Sequence, residues 1–204
     1  MPKLTVFLPC YNAEQFIDVC ILSLISQTSR DFIVFAYDDN STDSTYEHLL
    51  FWQEVDSIIQ PKRPFEQRHG YIKLLNKMLF DADTEYVFRQ DADDWSLPSR
   101  FTKQLDIECK NDCVLCGSQG KNLWHEKSKI ITYPWEEIYV NPIASYEQPV
   151  NHLLQIQHRL IHGSMCMKLD TLHKLGGYDE SLIPVEDWDL SLRAAHLGNV
   201  YVIP

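Results

Sequence analysis

Three short apolar runs, Leu4 to Leu8, Phe32 to Tyr37 and Tyr86 to Gln90, each close on a polar cluster and lead into residues of helical spacing. After the first, Pro9 ends the run, and Asn12 opens a stretch in which Ala13, Phe16, Ile17, Cys20, Ile21 and Leu24 recur at the period of a helix. The second closes on Asp38 and Asp39, with Ser41, Thr42 and Asp43 as N-cap candidates for a helix reaching about Val55. Asp56 to Gln60 predicts a further strand, Pro61 to Pro64 a loop and Tyr71 to Phe80 a helix, and the Tyr86 strand ends on Asp91. Strands that alternate with helices are joined by crossovers, which set neighbouring strands parallel. The pattern predicts an α/β fold with a Rossmann-like, mostly parallel central sheet flanked by helices.

Beyond Pro98 the spacing predicts a helix to about Cys109 and a strand from Cys113 to Ser118, after which the alternation stops. Lys121 to Pro149 carries Trp124, Tyr133, Trp135, Tyr139 and Tyr146 without a clean period, so extended segments and a covering loop are expected there. A short helix near Val150 to Gln157, a strand near Leu160 to Lys168, a turn at Gly176-Gly177 and a helix from about Trp188 to Leu197 follow. With 204 residues, 45% of them hydrophobic, the chain can bury a core as one domain, 1–204, whose later half is the smaller mixed region. It stops abruptly after the apolar Val200 to Ile203, as a fragment of a longer chain would.

Charge and cysteine usage narrow the function classes. A formal net charge of -11 argues against a sequence-independent grip on phosphate backbones, so nucleic acid is not an expected partner. No secretory h-region and no run near ~18 apolar residues occurs, which predicts a cytoplasmic protein that is neither exported nor membrane-spanning. In that compartment the six cysteines are expected as reduced thiols. Cys109, Cys113 and Cys116, with His125 nearby, have the look of a zinc site. A buried strand is the preferred reading, because residues three apart on a strand point to opposite faces.

In an open parallel sheet, ligands bind outside the carboxyl ends of the strands where strand order reverses. Pro9-Cys10-Tyr11-Asn12, Asp38-Asp39-Asn40-Ser41 and Asp91-Ala92-Asp93-Asp94 would meet there. Asp91 and Asp93 can aim oxygen at a hard cation such as Mg²⁺ or Mn²⁺, which a phosphate ligand could share. The plainer alternative is a cap on the following helix, but three carboxylates in four residues repel one another unless a cation or strong donors offset the charge. Asp38 or Asp39 could accept from a nucleobase imide or a ribose hydroxyl, and Tyr11 could stack on a base or simply pack. A second acidic cluster, Glu186-Asp187-Trp188-Asp189, follows Gly176-Gly177-Tyr178-Asp179. Glu186 or Asp187 could act as a general base beside the apolar face of Trp188, or merely complement a helix N-terminus.

Taken in order, Val6 to Asn12, Asp38 to Asp43, Asp91 to Asp94, Gly176 to Asp179 and Glu186 to Asp189 resemble the family 2 glycosyltransferases of the GT-A fold over nearly the whole chain. The resemblance implies inverting transfer of a sugar from a nucleoside diphosphate donor, usually a uridine one, to an acceptor hydroxyl. It implies that Pro9, Tyr11 and Asn12 line the base and ribose pocket, that Asp39 meets uracil with Asp38 as neighbour, and that Asp91 and Ala92 lie along the ribose and sugar. Asp93, with Asp91, would hold Mn²⁺ or Mg²⁺ at the donor diphosphate. Asp187 would be the base, and Glu186 and Trp188 would contact acceptor or sugar. Residues 1–98 would then form the nucleotide-sugar-binding half and 99–204 the acceptor-binding half.

Two departures from the family pattern stand out. Many relatives carry an arginine just ahead of an asparagine in the third helix, where Leu75 precedes Asn76 here. That leaves Lys73 or Arg68 for the phosphate or base contact. Relatives also often place a further metal or phosphate ligand beyond the last strand present here. The acceptor implied is a saccharide or lipid-linked saccharide of cell-envelope or capsular polysaccharide, which leaves open peripheral contact with the inner membrane face, although no basic amphipathic helix argues for it. A homodimer is also left open. The competing readings are a sugar-phosphate nucleotidyltransferase, which lacks support because no Gly-rich basic loop follows the first strand, a hydrolase using Asp91 as nucleophile, and a non-catalytic nucleotide-sugar binder.

Overall fold

A computed structural model describes residues 3–110, 113–120, 123–126, 129–132 and 160–203. Seven strands form one sheet in the order β3-β2-β1-β4-β8-β5-β9. They are β1 (Leu4–Cys10), β2 (Phe32–Asp38), β3 (Ile59–Lys62), β4 (Tyr86–Arg89), β5 (Cys113–Ser118), β8 (Cys166–Lys168) and β9 (Asn199–Ile203). β6 (Leu123–Glu126) and β7 (Lys129–Thr132) pair antiparallel in a separate ribbon, in keeping with the extended segments expected there. β1 pairs parallel with β2 and with β4, and β2 with β3, as the crossovers require. β8 runs antiparallel to both β4 and β5, and β5 pairs parallel with β9. One reversed strand thus joins the parallel half to the mixed half.

The near-continuous apolar runs of β1 and β2 arise because the sheet is covered on both faces. Leu4, Val6 and Leu8 of β1 with Phe32, Val34 and Ala36 of β2 face one core, which holds Ile17, Cys20, Ile21 and Leu24 of α1 (Ile17–Ile25). The same core takes Leu49 and Trp52 of α2 (Thr45–Val55) and Phe101 of α4 (Arg100–Lys110). Phe7, Phe35 and Tyr37 face the other core, against Ile72, Leu75 and Met78 of α3 (Tyr71–Asp81). Leu172 of α5 (Leu169–Lys174), and Leu190 and Ala194 of α6 (Glu186–Ala195), complete that layer. No helix among the described residues is long and apolar enough to cross a membrane.

Several boundaries differ from the expected ones. β3 spans Ile59–Lys62 rather than 56–60, and it tolerates Pro61 because it is the sheet edge, where a missing N–H costs least. α2 starts at Thr45, where Asp43 Oδ1 accepts from the Thr45 N–H at 3.0 Å and its hydroxyl at 2.6 Å. α6 begins at Glu186, two residues before the expected Trp188. The strand expected over Leu160–Lys168 shrinks to β8, because His162–Ser164 forms a 3-10 turn, and α5 was not foreseen. The helix expected near Val150–Gln157 and the Tyr133–Pro149 stretch lie outside the described residues.

The cysteine strand holds a further correction. A bulge between Cys113 and Leu115 shifts the register by one residue, so Cys113 and Cys116 share one face while Leu115 turns to the other core. Both thiols are buried near Cys166 and the buried carboxyl of Glu108, which accepts from Cys113 Sγ at 3.4 Å and Cys166 Sγ at 3.8 Å. The expected strand over Cys113–Ser118 is present as β5, while the side chains of Cys109 and His125 lie outside the described ones.

A buried guanidinium pins the middle of the sheet. Arg100 Nε donates to Gln104 Oε1 at 2.9 Å, Nη1 to Gln90 Oε1 at 2.8 Å and Ser96 Oγ at 2.9 Å, and Nη2 to the carbonyls of Arg89 at 2.6 Å and Gly163 at 3.2 Å. Every acceptor is neutral, and burial, ahead of the opposing Cys166 and the nearby Arg89, lowers the Arg100 pKa to about 10. Replacing Arg100 with Met orphans these acceptors and is expected to cost about 3–5 kcal/mol. Arg100→Lys, with three donors and no planar fork, should recover only part of that loss. Urea unfolding followed by tryptophan fluorescence measures both, and a wild-type midpoint for Arg100→Met would refute the assignment.

Candidate active site

The strand order reverses at β1, which has β2 on one side and β4 on the other, so the expected crevice opens above their carboxyl ends. Phe7 O accepts from Gln90 N at 3.1 Å on the β4 side, and Pro9, two residues on, faces the same way past the end of that ladder with no N–H to leave unpaired.

The loops after β1 and β2 are laced together. Asn12, at φ 49°, suits a left-handed position, and its N–H donates to Ser41 Oγ at 2.9 Å while its Oδ1 accepts from Thr42 N at 2.9 Å. Asp38 is fully buried and accepts from Ser41 N at 3.1 Å and Arg63 Nε at 2.7 Å. Asp39 is 2% exposed, and its two oxygens take the N–H groups of His69 at 2.9 Å and Gly70 at 2.7 Å. It therefore anchors the entry to α3. Gly70 sits at φ 90°, ψ 152°, a conformation essentially reserved for glycine. Arg68, in the same loop, lies 3.8 Å over the Tyr11 ring and 3.8 Å from Asp39, which makes an exposed flat platform. Lys73 stands apart from it, 4.0 Å from Glu180.

Beyond β4, the turn Asp91–Asp94 holds the acidic triplet. Ala92 is buried, Asp93 and Asp94 are exposed, and Asp94 N bonds Asp91 O at 3.2 Å. Buried Arg89 binds Asp91 Oδ1 through Nη2 at 2.6 Å. Burial pushes the Asp91 carboxyl up, but Arg89 outweighs it, helped by His162 and Arg100, and the net pKa falls below the usual carboxylate value. Among the described residues Asp94 has no such partner. Burial, then Asp91 and Asp93, push it up to about 6, so negative charge in this turn is only partly balanced. Gly163 closes against the turn so tightly that an added Cβ would lie 2.4 Å from Asp91 Oδ2 and 3.2 Å from Asp94 Oδ2.

The second acidic cluster occupies the first turn of α6. Glu186 is buried, Oε1 accepting from the Tyr71 hydroxyl while Oε2 has no partner among the described residues. Asp187 is half-buried beside half-buried Trp188 and accepts the Trp188 N–H at 2.8 Å. Burial, then Glu186, raise the Asp187 pKa, against the backbone bond that lowers it.

Tyr71, Tyr178 and His162 connect the two clusters. Tyr71 follows the Asp39-bound Gly70, bonds Glu186 and lies 6.4 Å from the His162 ring. Tyr178 OH is 3.0 Å from His162 Nε2, and the Tyr178 backbone is held at both N and O by Asn76 at 2.9 Å. Burial pushes the Tyr178 phenol up to about 12, Arg89 opposes, and both Asp91 and Asp187 add to the rise. The Tyr178 hydroxyl thus lies within electrostatic reach of Asp91 and Asp187, and Tyr71 links the Asp39-bound Gly70 to Glu186.

A sequence model of Glycosyl transferase family 2 matches residues 5–169, most of the chain, from β1 through β8. The chain belongs to glycosyl transferase family 2. Among its relatives in this family, an uncharacterized glycosyltransferase of Haemophilus influenzae is 32% identical over 147 residues, 70% of this chain and 45% of that protein. The amylovoran biosynthesis glycosyltransferase AmsE of Erwinia amylovora is 28% identical over 96% of this chain and 70% of its own length. Solved structures with the same GT-A fold include Staphylococcus aureus TarS 1-349, with TM-score 0.72 and 21% identity over 98% of this chain and 58% of that one. Another is the mannosyltransferase PcManGT of Pyrobaculum calidifontis in complex with GDP-Man and Mn²⁺, with TM-score 0.72 and 19% identity over 99% and 54%. The chain spans little more than half the length of both structures.

Sequence reasoning missed Arg89, His162 and Tyr71 in this family 2 site. Arg89 alone left a signal, as a charged residue inside the apolar Tyr86-Val87-Phe88 strand that could only be buried with a partner.

Because the native state holds the Asp94 proton up to about pH 6, where the unfolded carboxyl has already lost it near 3.8, this group costs stability as pH rises through that window. Asp94→Asn is therefore expected to raise the melting temperature at pH 8 in chelator, with the gain fading below about pH 4. Calorimetry at both pH values decides the point, and an equal gain at both would exclude the carboxylate as its origin.

Proposed function

We propose that this family 2 glycosyltransferase moves a sugar from a uridine diphosphate donor to a hydroxyl of a saccharide or lipid-linked saccharide acceptor, with inversion at the sugar carbon. The observation that carries this reading is the run of contacts linking the two acidic clusters, from Asp91 through Arg89 and His162 to Tyr178, with the His162 ring beside the Tyr71 that bonds Glu186. Support for the donor class comes from the solved complexes of similar fold, TarS 1-349 with UDP-GlcNAc and PcManGT with GDP-Man and Mn²⁺. The polysaccharide acceptor has its support in AmsE and in the O-antigen glycosyltransferase WbnJ of Escherichia coli, 25% identical over 95% of this chain.

In this reading the Tyr11–Arg68 platform takes the base, with Pro9, Asn12, Asp38 and Asp39 shaping the base and ribose pocket. Lys73, at the outer edge of α3, is the more distant candidate for a phosphate contact. The hard oxygens of the Asp91 turn and the charge left unbalanced at Asp94 fit a divalent cation, held by Asp93 with Asp91 or Asp94. Mg²⁺ and Mn²⁺ are commonly bound by one or two carboxylates plus substrate phosphates, so a preformed protein cage is not required. Such an ion, when bound, supplies charge that stabilises the diphosphate leaving group.

Asp187 takes the proton from the acceptor hydroxyl as that oxygen attacks the sugar from the face opposite the diphosphate. Direct displacement leaves no covalent sugar on the protein, and the configuration inverts. A carboxylate raised by burial and by Glu186 is a better base than a free one, since its pKa moves toward the working pH. Glu186, fixed by Tyr71, and Trp188 face the acceptor side.

Two measurements test the proposal. Asp187→Asn is expected to lower turnover by about 10²–10⁴-fold with uridine diphosphate affinity unchanged, whereas wild-type turnover would remove Asp187 from this role. Calorimetric titration of uridine diphosphate should show affinity that depends on Mn²⁺, and equal affinity in chelator would contradict the cation site. A panel of nucleotide sugars identifies the donor.

A further inference from the structure

Between the two acidic clusters lies a histidine with no part in the steps above. His162 opens the 3-10 turn that leads into β8, and its ring is half-buried. Nε2 faces Arg89 Nε at 3.5 Å and the Tyr178 hydroxyl at 3.0 Å. A guanidinium can only donate, so the nitrogen turned toward it carries no hydrogen. With no hydrogen on Nε2, the Tyr178 hydroxyl 3.0 Å away turns its own hydrogen to the imidazole. Two donors converge on Nε2, and a neutral imidazole then bears its single hydrogen on Nδ1. Among the described residues Nδ1 has no partner, and it is not sealed from solvent.

The ring's surroundings say what that free N–H can meet. On one side Gly163, the next residue, closes on Asp91 and Asp94. On the other lies Tyr71, whose hydroxyl is held by Glu186 next to Asp187. A sugar in transit must occupy this interval, since its reacting carbon is bonded to the diphosphate on one side and attacked from the other. We propose that His162 Nδ1–H donates a hydrogen bond to a hydroxyl of the transferred sugar, and that Arg89 and Tyr178 act as positioning residues by fixing the tautomer. An uncharged donor matches an uncharged hydroxyl better than it matches a phosphate. This inference rests on the glycosyl transfer proposed above.

Two readouts test it. The first needs no substrate: ¹⁵N spectra of histidine-labelled protein at pH 7, assigned with His162→Asn, are expected to show His162 as the neutral Nδ1–H form, and an Nε2–H or charged ring overturns the proposal. The second compares His162→Asn, whose amide nitrogen falls near the position of Nδ1, with His162→Phe, which keeps a ring and loses the donor. Calorimetry with uridine diphosphate alone and with the uridine diphosphate sugar selected from the panel separates the sugar contact from the nucleotide. All three proteins are expected to bind the diphosphate alike. His162→Asn should keep the wild-type affinity for the nucleotide sugar, and His162→Phe should lose about tenfold. Unchanged binding in His162→Phe, an equal loss for diphosphate and nucleotide sugar, or a loss in His162→Asn as large as in His162→Phe each overturns the sugar contact. A wild-type protein that binds no nucleotide and no nucleotide sugar overturns the transfer reading itself, and the Nδ1–H tautomer seen in the spectra tells that failure apart.

Discussion

The guanidinium of Arg100 is the point from which the crevice is built. A buried arginine with five neutral acceptors is stable only while all five are in place, because any acceptor that withdraws leaves a desolvated donor on a charged group. Those acceptors come from the end of β4, from the Ser96 turn, from α4 itself and from Gly163. The bonds therefore tie the backbone just before Asp91 to the backbone beside His162, two segments about seventy residues apart in sequence. Gln104, one helical turn on, repeats the device by donating to the carbonyls of Cys116 and Ser164.

This arrangement sets the electrostatics of the crevice. Arg89 and Arg100 put two buried positive charges behind the Asp91 turn, yet among the described residues only Asp91 in that turn receives a direct ion pair. Neighbouring carboxylates in one turn are thereby made unequal, one with its pKa lowered by its arginine and another with its pKa raised by burial and its acidic neighbours. Arg89 also acts on its other side, since with burial it keeps His162 uncharged, its pKa lowered to about 3. At the far cluster the asymmetry has a different source. Glu186 is buried and engaged by a tyrosine, while Asp187 stays half-exposed and within reach of solvent and ligand.

The parts of this structure that were legible in the sequence are those written in local patterns. The apolar runs of β1, β2 and β4, the polar clusters that end them and the acidic residues that open the helix ahead of Leu190 are all readable in the sequence itself. What stayed hidden depends on distant partners. β8 is three residues long and has no period of its own, existing because β4 and β5 both offer it an edge. The bulge at Cys113–Leu115 is invisible to an alternation argument, which assumes the regular pleat it breaks. Asp38 and Asp39 look alike in sequence, but one is bound by Arg63 and the other by the amides of His69 and Gly70, some thirty residues downstream.

The reversed strand in the middle of the sheet has a consequence for how the chain is made. As synthesis proceeds from the N-terminus, β1 to β4 can assemble early, yet the free edge of β4 has to wait for Cys166–Lys168 to emerge from the ribosome. β5 arrives first but is not its neighbour, and pairing the two directly would shut out β8 along with the turn that carries His162. During that interval the nascent chain exposes an apolar, unpaired strand edge, the kind of surface that holdase chaperones cover and that promotes association between chains.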